Sequence, residues 1–410
     1  MTKLSMEANL LTGGEAPRLY PLPAGREPRT ALYKLVVGVD LRCLLDSRGS
    51  GVATYAKLML QSLRNENDKN FRLIAFTSGF SPAPDLSSLL PVDGRHRHFC
   101  FPNRILNLAM SIAKWPSVKR CFGEATIVWQ PNPLFIPSIK VPLFVTVHDI
   151  SFIRFPQFFL PHTRAWYLRW VRHWLKMAPP NAHLIVDSEY VKNDILSLFP
   201  QWQNRLAVFM PPIPTGQIQT SIDLKNSYGL DRPFILGLGT IEPRKNIASL
   251  VVAYKYFARR YPEFDLVLIG HYRHQDRRAL LRLAGNFHSR LKFLGYVPYP
   301  HREEILSKAF CLVYPSYYEG FGYPPLEAMS RGVPVVASAV SSLPEILGSA
   351  AMFIDPYRGA EEIAVALDIL AHDREVYKKL QVAGLSRVNE LRERFTLQPL
   401  LSLWRNFVSA

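Results

Sequence analysis

The chain is short of cysteine, of long apolar runs and of acidic residues. Four cysteines, Cys43, Cys100, Cys121 and Cys311, are scattered over 410 residues. None stands in C-x-x-C or another metal-binding spacing. This argues against a disulfide framework and makes a reducing compartment the expectation. No apolar stretch approaches the roughly 20 residues that a membrane-spanning helix needs. The opening MTKLSMEANLLTGGEAPRLYPLPAG has no continuous apolar segment of the secretory type. Its proline and glycine content predicts a mobile leader over 1–30, and the expected location is the cytoplasm. Acids number 33 against 49 Lys and Arg, a formal net charge of +16. The excess is larger in residues 1–210, with 25 basic against 14 acidic residues, than in the remainder, with 24 against 19. Such a balance suits anionic partners (phosphates, nucleic acid or an acidic membrane face) or is a solvated basic surface.

Several motifs are missing as well. There is no G-x-G-x-x-G after a strand, which disfavours a dehydrogenase, and no phosphate loop ending in Lys-Ser/Thr. No nucleic-acid-binding module is present, so nucleic acid is not an expected partner. No Asp-x-Asp occurs, so no acidic pair for a metal ion is evident.

What remains is an ordinary globular composition, 48% hydrophobic and 20% charged. The length exceeds the roughly 250–300 residues that one core supports, so two or three domains are expected. From residue 34 onward, short apolar runs alternate with segments of helical period. The strand-like runs are 34–42, 72–77, 125–131, 142–149 and 183–189, with helices over 56–64 and about 162–178. A proline-rich, polar break follows near 200–230. The alternation then restarts with runs at 234–240, 265–270, 291–297, 309–316, 332–338 and 351–356. Helices are expected over 245–260, 277–285, 303–308, 324–331, 360–371 and 373–394. Such alternation predicts parallel sheets covered on both faces. The fold class is therefore α/β, with two Rossmann-like doubly wound domains facing across a cleft. The expected boundaries are 31–210, a linker over 211–230, and 231–395. A final apolar-faced helix over 396–410 is expected to cross back to the first domain.

The chemistry-bearing residues cluster at the ends of these strands, where ligands of open parallel sheets bind. The strongest signal is Glu319-Gly-Phe-Gly-Tyr-Pro-Pro-Leu-Glu327. Gly320 and Gly322 allow close backbone approach. Pro324 and Pro325 suit a helix start, and the two carboxylates can accept hydrogen bonds from sugar hydroxyls. The second signal is Gly237-Leu-Gly239-Thr-Ile-Glu242-Pro-Arg244-Lys245-Asn246. Its adjacent cations can offset a diphosphate, Arg bidentately and Lys as a point charge. The third is the Gly49-Ser-Gly51 loop, which fits either a phosphate or a plain turn. The fourth is Val147-His148-Asp149, where His148 is either structural or a group that touches a hydroxyl or moves a proton.

Taken together, these residues resemble family 4 of the retaining glycosyltransferases, whose two-domain fold is called GT-B. The likeness covers about 34–408, with Glu319 and Glu327 meeting E-x7-E and Pro243 to Asn246 meeting P-R-K-N. Segments 332–338, 343–345 and 186–195 match as well. The resemblance implies that Arg244 and Lys245 clamp a diphosphate, that Glu327 holds a ribose, and that Glu319 with the backbone of Phe321, Gly322 and Tyr323 holds the donor sugar. It also implies that His148 touches that sugar near the reacting carbon, and that Gly51 and Gly239 lie by the donor. Arg244, Lys245, His148 and Glu319 are thus the expected catalytic residues. No cofactor and no metal are expected, the nucleotide-sugar being a substrate.

The N-terminal half resembles mannosyltransferases of bacterial polysaccharide assembly. This makes GDP-mannose the first expected donor, ahead of UDP- or dTDP-sugars, and a saccharide or lipid-linked saccharide the acceptor. The segment HTRAWYLRWVRHWLKMA (162–178) interleaves aromatic and basic residues. It fits two readings, peripheral contact with the anionic inner face of the plasma membrane or core packing under a basic outer face. Competing classes are a nucleotide-sugar epimerase of the same fold and a basic nucleic-acid-binding protein.

Overall fold

Most of the strands are short and apolar on both faces because they lie between two layers of helix. The structure, a computed structural model, describes residues 35–45, 51–66, 70–80, 85–112, 115–133, 140–214 and 222–408. The expected leader, Gly49 and part of the expected linker lie outside them. The first sheet contains β1 (Leu35–Asp40), β2 (Phe71–Ser78), β3 (Arg95–Phe99), β4 (Ile127–Gln130), β5 (Leu143–Thr146), β6 (Ala182–Val186) and β7 (Leu206–Val208). All pairings are parallel, and the order is β3-β2-β1-β4-β5-β6-β7. The second contains β8 (Phe234–Leu238), β9 (Asp265–Ile269), β10 (Leu291–Gly295), β11 (Cys311–Tyr314), β12 (Val335–Ser338) and β13 (Met352–Ile354). It is also wholly parallel, in the order β10-β9-β8-β11-β12-β13. Both sheets reverse direction of growth beside their first strand, the topology of two doubly wound domains.

The differences from sequence expectation are local. Strand β3, RHRHF, has no buried residue in its run and no apolar alternation, so nothing in its pattern marks a strand. It forms because β2 offers a parallel edge from Ile74 to Ser78. Strand β7 falls within the break read near 200–230 and completes the first sheet by pairing with β6. Helices over Asn103–Ile112, Val118–Phe122 and Glu189–Leu198 also went unread. The helix expected over 162–178 runs from Pro161 to Met177 with a π-helical insertion at Tyr167–Arg172. Such wide turns concentrate at functional sites. The helix expected over 56–64 already begins at Gly51.

The C-terminal helix, Gln398–Val408, packs on the first sheet although it follows the second. Trp404 is fully buried, with its ring 5.8 Å from Trp129 and 6.3 Å from Phe144. Phe407 adds contacts to Phe144 and His183. Near the cleft the domains also touch directly. Ser188 Oγ donates to the Gly320 carbonyl at 2.9 Å while capping Val191 N. The Glu345 carboxylate accepts from the N–H groups of Glu189 and Tyr190 at 2.8 and 2.9 Å. A side chain of one domain thereby satisfies the free amides at a helix start in the other.

Candidate active site

On the second domain, the chain leaves β8 through Gly239, whose φ of 130° is open to glycine. It then closes a 3-10 turn, Pro243–Lys245, and enters the helix Ile247–Arg260. The helix thus starts two residues later than expected. Asn246 sits between turn and helix in the left-handed region, with φ 52°, and its side chain donates to the Pro356 carbonyl at 3.2 Å. Asn is among the few non-glycine residues that enter this region readily. The compact turn leaves Arg244 and Lys245 facing inward. Lys245 Nζ donates to Glu319 Oε1 and to Tyr314 Oη, each at 2.6 Å. Arg244 Nη1 lies 3.2 Å from Glu319 Oε2 and donates to the Tyr318 carbonyl at 2.7 Å, while Nη2 reaches Glu242 at 2.8 Å. Burial opposes charge on Glu319, but Lys245 and Arg244 outweigh it and hold its carboxyl down at about 2. Burial and the neighbouring guanidinium instead lower Lys245.

Glu319 and Glu327 flank the turn after β11. Gly322 has φ 99°, a conformation that opens the way into the helix Tyr323–Met329 with its prolines in the first turn. Gly320 is fixed by proximity: a Cβ there would lie 1.8 Å from the His148 carbonyl oxygen on the other domain. Glu327 is 1% exposed, and Arg302 Nη2 donates to its Oε1 at 2.8 Å. Behind Arg302, Glu303 pairs with both Arg302 and Arg331. Burial pushes the Glu327 carboxyl up, against the pull of Arg302. Its Oε2 is buried with no partner, as is the Tyr323 hydroxyl.

The first domain supplies His148, just beyond β5, and Asp187, just beyond β6. His148 Nδ1 lies 2.6 Å from Asp187 Oδ2, and Nε2 lies 2.8 Å from the Pro131 carbonyl oxygen. With Asp187 ionised, both neighbours accept, an arrangement that favours a doubly protonated ring. Burial disfavours that charge, but Asp187 more than offsets it and the net shift is upward. Tyr55 packs edge-on against the ring at 4.7 Å, with its hydroxyl 3.2 Å from Thr146 Oγ1. With both nitrogens engaged, a hydrogen bond from this ring to a ligand requires one of them to change partner. Asp149 accepts from the N–H and hydroxyl of Ser151 at 2.9 and 2.6 Å.

These groups line a single cavity of about 500 Å³ between the two sheets, at the carboxyl ends of their strands. The residues that the resemblance assigns to the donor or to catalysis all line it: Gly51, His148, Gly239, Arg244, Lys245, Glu319, Phe321, Gly322, Tyr323 and Glu327. Sequence reading missed Asp187, Tyr314 and Arg302, which line it too. Asp187 carried a usable signal, an acid at a strand end like Asp149. Arg302 carried none, being one of many arginines on helical segments. Among the described residues, no group of three or more His, Cys, Asp or Glu could hold a metal ion.

Residues 220–387 match the family model described as glycosyl transferases group 1. Most of the second domain thus resembles the group 1 glycosyltransferases, and the chain resembles bacterial mannosyltransferases. It is 35% identical to the O-antigen chain mannosyltransferase B of Escherichia coli over 238 residues, 55% of this chain and 60% of that protein. It is 27% identical to the O-antigen chain mannosyltransferase RfbU of Salmonella typhimurium over 52% of this chain and 56% of that one. The match thus spans less than two thirds of either relative's length. Among solved structures, the sucrose-phosphate synthase of Thermosynechococcus elongatus superposes with a TM-score of 0.68 at 20% identity, over 90% of this chain and 98% of its own. That likeness shows the shared two-domain fold.

Proposed function

We propose that this protein is a retaining glycosyltransferase that moves mannose from GDP-mannose to a saccharide or lipid-linked saccharide acceptor in polysaccharide assembly. The observation that carries this reading is the convergence of Arg244, Lys245, Glu319 and Glu327 on one interdomain cavity. The names of the two bacterial relatives support the choice of mannose. Arg244 and Lys245 receive the donor diphosphate, which displaces Glu319 as their anionic partner. Glu319 then accepts from hexose hydroxyls, and Glu327 Oε2 accepts from the ribose. As the sugar–phosphate bond breaks, negative charge grows on the leaving oxygen beside the two cations, whose preorganised positions stabilise it. The acceptor hydroxyl attacks from the leaving-group face and gives its proton to the departing phosphate. Stereochemistry is thereby retained, and no protein carboxylate acts as base. The cations supply the charge compensation, so no metal or other cofactor enters the proposal.

The helix Pro161–Met177 serves both surfaces. Tyr167 and Val171 line the cavity, while Trp166, Trp170 and Met177 are exposed beside Arg169, Arg172 and Lys176. The basic charge and exposed indoles fit the anionic face of a bilayer that carries a lipid-linked acceptor at the cytoplasmic side. Among the described residues no helix is long and apolar enough to cross a membrane.

The test is a thermal-shift screen of GDP-mannose, UDP-sugars and dTDP-sugars, followed by a transfer assay. A donor at a hundred times its Kd adds about 2.7 kcal/mol to stability. The proposal fails if no nucleotide-sugar raises the melting temperature and no hexose is transferred. Donor conversion without acceptor or hydrolysis would instead mark an epimerase. Flotation of the protein with acidic but not neutral vesicles tests the membrane contact.

A further inference from the structure

We propose that Asp187 determines donor specificity: its Oδ1 accepts a hydrogen bond from one hydroxyl of the transferred hexose, while its Oδ2 keeps His148 doubly protonated. The inference rests on the glycosyl-transfer reading and deepens it. Asp187 is 3% exposed, lines the cavity, and has its Oδ2 committed to His148 at 2.6 Å. Its Oδ1 is buried with no partner. Leaving a buried carboxylate oxygen unbonded is costly, and proteins rarely retain one without a use for it.

Three residues lining the same cavity from the opposite domain also carry buried atoms without a partner: the Tyr323 hydroxyl, Glu327 Oε2 and Arg302 Nε. Burial and the charge of Asp187 push the Tyr323 phenol up, so it remains a protonated donor. An acceptor on one wall and a donor on the other suit a hydroxyl, which gives one hydrogen bond and receives another. Charge orients the ligand. A phosphate is drawn to Arg244 and Lys245 and finds no net positive charge at the Asp187–His148 pair, so the uncharged, hydroxyl-bearing end belongs at Asp187. The carboxylate–imidazolium pair is neutral overall, which lets it stay buried while Oδ1 remains available.

The test compares GDP-mannose with each of its monodeoxy analogues in the transfer assay, using wild type, Asp187→Ala and the isosteric Asp187→Asn. Wild type is expected to disfavour one deoxy position by about 10–100-fold in kcat/KM, the effect of losing a hydrogen bond to a charged acceptor. Asp187→Ala should abolish discrimination at that position alone and keep the preferences set elsewhere in the cavity. The wild-type scan needs no variant: equal use of every analogue would overturn the proposal. It is likewise overturned if Asp187→Ala retains the full wild-type profile with activity merely scaled down, the signature of a role in packing; Asp187→Asn, which keeps an Oδ1 acceptor without the charge, should discriminate at the same position by a smaller factor. If wild type neither binds nor turns over any nucleotide-sugar, glycosyl transfer itself falls, an outcome distinct from a failure at Asp187.

Discussion

Replacing Gly320 by alanine places one methyl group where the two domains meet. The added Cβ would lie 1.8 Å from the His148 carbonyl oxygen, 2.8 Å from its carbon and 3.3 Å from Asp149 Cβ. Two of these are backbone atoms with no rotamer to yield. Bringing the closest contact out to 3.0 Å, about the shortest that real Cβ atoms show, requires a separation of 1.2 Å. That movement also strains the Ser188 hydrogen bond to the Gly320 carbonyl at 2.9 Å. Together, the overpacking and the weakened bond should destabilise the closed arrangement by about 2–4 kcal/mol. A displacement near 1 Å between reacting groups costs roughly 100-fold in rate. The anion-binding cluster of Arg244, Lys245 and Glu319 lies within the second domain, so binding of GDP alone should stay within a few-fold of wild type. Transfer kinetics from GDP-mannose and calorimetric titration of GDP separate the two effects. Gly79→Ala is the control, since its nearest neighbour, Leu45 Cδ1, would lie at an ordinary 3.5 Å. A Gly320→Ala protein with wild-type kcat/KM and an unchanged melting temperature would show that domain apposition is not set at this contact.

The other predictions concern charge and packing. Lys245→Ala should lower kcat by roughly 10²–10³-fold, as for loss of one oxyanion donor, and wild-type turnover would remove the cation clamp from the mechanism. Because the Glu319 carboxyl is depressed to about 2 from an ordinary 4.5, its stabilising contribution is complete above the ordinary value and fades as pH falls toward the depressed one. The melting-temperature gap between wild type and Glu319→Gln should therefore narrow from about pH 5 to about pH 3; a constant gap would contradict the ion-pair cluster. Trp404→Ala should cost about 3–5 kcal/mol in chemical denaturation, the loss appearing in the first domain although the residue follows the second. An effect below about 1 kcal/mol would mean that the C-terminal helix contributes little to that core.

The architecture was legible because its signals are local. Buried parallel strands such as LVVGVD read as continuous apolar runs, and prolines and glycines mark their ends. The acids at 319 and 327 and the cations at 244 and 245 stand out because charge beside glycine at a strand end has few structural uses. Strands β3 and β7 were illegible since their pairing energy comes from neighbouring edges and not from their own side chains. Arg302 escaped for a related reason: its pairing with Glu327 across 25 residues of sequence leaves no periodic trace. The position of Asp187 at a strand end was legible, but not its pairing with His148 across 39 residues.

The sequence by itself determined the two α/β halves, the strand-end loops and which charges those loops carry, because hydrophobic period and turn chemistry act over a few residues. Only the tertiary structure decided that Glu319 sits between Arg244 and Lys245, that His148 pairs with Asp187, and that Gly320 touches the opposite domain. Those facts depend on distances between chain segments far apart in sequence. Burial then turns each distance into a large electrostatic or steric consequence.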